Sequence, residues 1–167
     1  MFDFLTVDFF VKVLVLGVPV LFAVTLHEAA HGYVALHYGD QTALRAGRIS
    51  LNPLRHVDLF GTVVLPGILI LSGSPFLFGY AKPVPVNFNN LKNPRQDMVS
   101  VAVAGPLTNI FLAFVSALAF HALPFFSESW AAPIAQGLKM SLILNVTLAL
   151  FNMIPLPPLD GGRVAVG

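Results

Sequence analysis

Cysteine is absent from this sequence, and charge is scarce. Only 10% of the 167 residues are Asp, Glu, Lys or Arg, against about 25% in an ordinary soluble domain. Without cysteine there can be no disulfide and no thiolate metal site, so any zinc must be held by His, Asp or Glu. That absence leaves the compartment open. The net charge of +1 generates no global field, which argues against nucleic acid as a partner. A basic N-terminus is also missing, since Asp3 and Asp8 precede Lys12. A cleavable signal needs a basic start and a short apolar run, so this start reads as a retained membrane segment. What the chain has in quantity is apolar surface. Hydrophobic residues make up 56% of it, more than a small soluble fold can hide from water. Lipid bilayer is the solvent that suits it.

Four apolar stretches stand out, at about Phe9–Leu36, Leu59–Tyr80, Met98–Leu123 and Ile134–Ile154. Each approaches or exceeds the roughly 20 residues that span a bilayer. The first, third and fourth read as spanning helices. The second contains Pro66, Gly67, Gly73 and Pro75, which disfavour a straight helix. Arg45, Arg48 and Arg55 precede this stretch, and Lys82, Lys92 and Arg95 follow it. Residues 124–133 carry only Glu128. Cytoplasmic connections are rich in Lys and Arg. Both basic connections are therefore expected inside, and the second stretch re-enters as a hairpin or forms a fourth span. Residues 43–51 alternate partially, and Lys82–Asn87 carries two prolines two apart, which blocks helix. Both are expected to be extended and to build a small β element at the membrane surface. The expected fold is thus an all-α polytopic membrane protein, one domain over residues 1–167, with three spanning helices plus the re-entrant or fourth segment.

The first stretch contains Leu26-His27-Glu28-Ala29-Ala30-His31. On a helix, residues four apart lie on one face, so His27 and His31 can reach one zinc ion. Glu28 is placed to act as general base. Polar groups clustered inside an apolar helix are costly and point to function. A third ligand must come from Asp, Glu or another His. Asp160 is the best candidate, because it follows Pro155, Pro157 and Pro158, and broken backbone at membrane depth lines a cavity. On residues alone it reads equally as the N-cap of a following helix. Glu128 is the other candidate, misplaced in the external connection. Re-entry of the second stretch would bring Asp160 to the same side as His31. His56, between Arg55 and Asp58, is expected at the surface, and Asn145 between helices.

Three blocks, His27–His31, Ala104-Gly105-Pro106-Leu107-Thr108-Asn109 and Asn152–Gly162, make the chain resemble the site-2 protease family of intramembrane zinc metalloproteases, most of all its small bacterial members. The resemblance covers nearly the whole chain. It implies that His27, His31 and Asp160 bind Zn2+, that Glu28 is the catalytic base and that Asn152 places or polarises substrate. Asn109 matches a family position in the third helix, either at the substrate or in interhelical bonding. It further implies three core membrane helices with a β-hairpin or loop after the first, matched by residues 43–51, and Lys82–Asn87 pairing with substrate backbone. The expected reaction is hydrolysis of a transmembrane protein substrate at a cavity opening to the cytoplasm. Family members usually continue into another membrane helix, so the chain is expected to be truncated after Gly167. A non-catalytic scaffold or a transporter is the alternative; a transporter would show repeat symmetry, which this sequence lacks.

Overall fold

A computed structural model describes residues 7–74 and 79–167. Asp3 and Pro75 lie outside the described residues. The architecture is helical: α1 (Val7–His37), α2 (Thr42–Arg45), α3 (Leu65–Leu71), α4 (Pro94–Ala119), α5 (Glu128–Asn152) and α6 (Asp160–Val166). A π-helical turn, Leu59–Val64, runs directly into α3. Helices α1, α4 and α5 pack on one another, and α6 packs on α4. The segment Pro94–Phe125, which is α4 with its 3-10 continuation, and α5 are each long and apolar enough to cross a membrane.

The packing inverts the soluble pattern. Large apolar side chains such as Phe111, Phe114, Leu150 and Phe151 are more than half exposed. The interior holds small and polar residues instead, among them Ala23, Ala29, Ala102, Ala113, Thr25, Ser116 and Asn145. Helices surrounded by lipid associate in this manner, through close-packed small residues and interhelical hydrogen bonds. Ser116 and Ser141 join α4 to α5 at 2.8 Å, and Asn109 donates to Asn145 at 2.7 Å. Asn145 thus occupies the interhelical place expected of it.

Three expectations need correction. No strand occurs among the described residues, so the surface β element is absent there. Residues 43–45 are helical because Ala43 and Leu44 favour helix and because Asp40 accepts the Thr42 N–H at 3.0 Å, an Asx-type turn. Lys82–Asn87 forms no regular secondary structure; its Lys82, Val84 and Asn87 N–H groups donate to the His56 carbonyl, Glu28 and Asp40. The connection expected over 124–133 is also much shorter. Ser127, extended at ψ 153°, opens α5 at Glu128.

The second apolar stretch closes on itself. Tyr80 N–H donates to the Gly61 carbonyl at 3.0 Å, and the Thr62 hydroxyl donates to the Tyr80 carbonyl at 2.9 Å. A Cβ at Gly61 would lie 2.4 Å from the Tyr80 ring, so only glycine permits this closure.

Asp40 ties the connections to the end of α1. Gly39, at φ +110°, terminates the helix, and the Asp40 N–H returns to the Ala35 carbonyl at 2.9 Å. The Asp40 side chain is fully buried. It accepts from the Thr42 N–H and hydroxyl, from the Asn90 amide at 2.9 Å and from the Asn87 N–H at 2.8 Å. Burial alone would push its pKa up; the hydrogen bonds from Thr42, Asn90 and Asn87 outweigh burial and hold it below the usual carboxylate range. A lowered carboxyl pKa stabilises the fold above the unfolded-state value, and that contribution is lost as pH falls through the folded-state value. Asp40→Ala is expected to destabilise the protein by about 2 kcal/mol or more, the cost of leaving buried donors unpaired. It should also flatten the acid limb of the stability profile, which thermal unfolding across pH checks.

Candidate metal centre

The site forms where the C-terminal half of α1, the N-terminal half of α4 and the start of α6 meet. His27 and His31 lie one turn apart on the buried face of α1, 7% and 8% exposed. Each ring is fixed from behind. His27 Nδ1 lies 2.5 Å from Asn109 Oδ1. The Asn109 amide nitrogen donates to the Ala23 carbonyl at 3.3 Å and to Asn145, so its oxygen must be the atom facing His27. His31 Nδ1 lies 2.7 Å from the Val101 carbonyl. Both partners are acceptors, so both imidazoles donate through Nδ1–H and carry a lone pair on Nε2.

Those lone pairs converge. The two Nε2 atoms are 3.1 Å apart, and each is 3.3 Å from Asp160 Oδ2. Three electron-rich atoms at these separations repel unless positive charge lies among them. The triangle suits zinc: bonds of about 2.0–2.1 Å in a tetrahedron put neighbouring ligands about 3.3 Å apart. The three side chains are buried and grouped as a metal would require. His37 and His121, both exposed, and Glu128, also exposed, take no part in this group.

Asp160 is the first residue of α6 rather than its cap; Leu159 holds that position, without a side-chain cap bond. The turn before it folds back tightly. A Cβ at Gly161 would lie 2.3 Å from the Met153 carbonyl oxygen, and one at Gly162 would lie 2.7 Å from Pro157 N. Both glycines are therefore required for Asp160 to reach the histidines. Arg163 stands 3.8 Å from Asp160 Oδ1, with its guanidinium 5.0 Å from the centre of the Phe88 ring.

A cavity of about 300 Å³ opens beside the triad, lined by Glu28, Val84, Val86, Asn152 and Arg163 among others. Glu28 is half-buried there, and its Oε2 accepts the Val84 N–H at 2.7 Å. Asn152 lines the cavity from the end of α5 and donates to its own Leu148 carbonyl at 3.0 Å. Asn109 does not line it; it is wholly buried behind His27. His56 is buried as well, not at the surface as expected, and its Nε2 meets the Ser50 carbonyl at 2.8 Å.

Gly105 escaped the sequence reading except as part of a block. A Cβ there would lie 2.5 Å from His31 Nε2 and 2.6 Å from His27 Nε2. The glycine leaves the space in which a metal and its ligands fit. A glycine facing two histidines from another helix is visible only once the helices are docked.

The chain is similar to several proteins named as zinc metalloproteases. A Bacillus subtilis (strain 168) protein named "Putative zinc metalloprotease YwhC" is 39% identical over 153 residues, 89% of this chain and 66% of its own length. A Mycobacterium tuberculosis (strain H37Rv) protein named "Putative zinc metalloprotease Rip2" is 31% identical over 84% of this chain and 52% of its own. A Methanocaldococcus jannaschii protein named "Putative zinc metalloprotease MJ0611" is 27% identical over 97% of this chain and 72% of its own. This chain therefore spans about two thirds of the first relative and about half of the second. No protein-family model matches the chain, and no solved structure matches it significantly. Over most of its length the chain is thus similar to proteins named as zinc metalloproteases.

Gly105→Ala is expected to displace both imidazoles and to lower zinc affinity by about 10-fold or more, a cost typical of disturbed ligand geometry. Zinc content after chelator competition measures it; full retention would show that the space is not needed.

Proposed function

We propose that this chain is a zinc-dependent intramembrane endopeptidase of the site-2 type, hydrolysing peptide bonds of transmembrane protein substrates. The observation that carries the proposal is the convergence of His27 Nε2, His31 Nε2 and Asp160 Oδ2 beside a cavity that Glu28 also lines. His27, His31 and Asp160 would hold Zn2+, which when bound supplies the Lewis acidity that makes water nucleophilic near neutral pH and polarises a carbonyl. Glu28 takes a proton on its free oxygen and returns it to the leaving amine. Asn152 uses one amide hydrogen on the Leu148 carbonyl; the second remains for a substrate carbonyl oxygen. Asn109 holds the His27 ring with its Nε2 towards the metal, as outer partners of metal-ligating histidines do.

The membrane arrangement in this reading has α1, α4 and α5 as three spans, with the site towards the cytoplasm. The 31-residue length of α1 and the basic residues on both sides of the second apolar stretch support it. That stretch would enter and return on one side. The hydrogen bonds joining Gly61 and Thr62 to Tyr80 support such a hairpin. So does the exposure of Leu59 and Leu71, at 75% and 80%, which suits lipid contact. A substrate helix must unwind at the cavity, because a helical backbone keeps its carbonyls engaged in hydrogen bonds.

The test uses the full chain, purified, with a single-span membrane substrate. Wild type should hold one zinc and cleave. Glu28→Gln should keep the zinc and lose cleavage by about 10²–10⁴-fold, the range for a general acid–base. Asp160→Asn should lose both. A zinc-loaded wild type that cleaves nothing, or a Glu28→Gln variant that cleaves normally, would sink the proposal.

A further inference from the structure

Glu28 is not a free rotor in its cavity. The bond from the Val84 N–H to its Oε2, at 2.7 Å, joins residues 56 positions apart. Val84 lies between Pro83 and Pro85, and proline has no N–H. Val84 therefore supplies the sole backbone donor of that tripeptide. The donor is also stiffly presented. A residue preceding proline is held extended, and the ring of Pro83 fixes its own φ.

Three further contacts hold the segment against α1 and its neighbours. The Val84 side chain is 8% exposed. It seats against Gly32, where an added Cβ would meet Val84 Cγ1 at 3.0 Å. Upstream, the Lys82 N–H donates to the His56 carbonyl at 2.9 Å; downstream, the Asn87 N–H donates to Asp40 at 2.8 Å. The donor reaching Glu28 is thus anchored independently on both sides.

We propose that Val84 is a positioning residue for proton transfer, its backbone N–H fixing Oε2 of Glu28 so that the other carboxylate oxygen is aimed at the reacting atoms. The proposal rests on the reading of Glu28 as the base. A glutamate on a helix has several accessible rotamers. A hydrogen bond from a rigid backbone selects one, and misplacement by about 1 Å costs on the order of 10²-fold in rate.

Hydrogen exchange tests the contact without any need for cleavage. Pro83 and Pro85 carry no amide hydrogen, so Val84 is the only exchanging backbone site between them. In the full chain its amide should exchange at least about 10-fold faster in Glu28→Ala than in wild type, since loss of the acceptor frees the N–H. Equal rates would overturn the contact. For function, Val84→Pro removes the N–H while keeping an extended backbone, and Val84→Ala keeps the N–H while shortening the side chain. Relative to Val84→Ala, Val84→Pro should lower kcat by about 10–100-fold, with KM and zinc content unchanged. Equal kcat in the two variants, or a rise in KM alone, would overturn the positioning role. If the chain cleaves no peptide, the exchange result still decides whether the contact exists, which separates failure of this proposal from failure of the protease reading.

Discussion

Two imidazole lone pairs and a carboxylate oxygen meet within 3.3 Å of one another in the interior of this protein. In water such a cluster would fly apart or take up protons. Here the Nδ1 protons are committed to Asn109 and Val101, and three helices press the donors together. A cation at the centre would turn mutual repulsion into coordination. Much of the surrounding structure serves that meeting. Asn109 reaches α5 through Asn145, so the orientation of a ring on α1 depends on both other long helices. Gly105 keeps α4 clear of the triad, and Gly161 and Gly162 let the turn after α5 fold tightly enough for Asp160 to arrive.

The same economy extends to the loops. The segment Lys82–Asn90 seats Val84, Val86 and Phe88 against the interior, and side chains from α1 and the residues just beyond it fix its polar groups. Glu28 takes the Val84 N–H, and Asp40 takes the Asn87 N–H and the Asn90 amide. Both acceptors are carboxylates, which form the stronger class of hydrogen bond. A helix that carries the metal-facing histidines thereby also organises the wall of the cavity beside them.

The histidine pair and its glutamate were legible because a single helical turn determines their relation. Asp160 was legible only as one of two alternatives, since its role depends on how the proline-rich turn after α5 folds back. Distant contacts left no sequence signal. Nothing local to Asp40 announces that Asn87 and Asn90 will surround it. The partial alternation over residues 43–51 suggested an extended segment, but Asp40 and the helix-favouring Ala43 and Leu44 produced α2 instead. His56, flanked by Arg55 and Asp58, had the look of a surface residue and is 1% exposed, because the connection folds over it. The inverted packing of small residues inside and phenylalanines outside follows from composition once lipid is taken as the solvent.

Zinc K-edge X-ray absorption on the purified full chain reads the metal's neighbours without requiring turnover. A four-coordinate shell of nitrogen and oxygen at about 2.0–2.1 Å is expected, with scattering from two imidazoles. Asp160→Ala should lose or rearrange that shell. A shell with three or more imidazoles, or one unchanged by the loss of Asp160, would contradict the proposed centre.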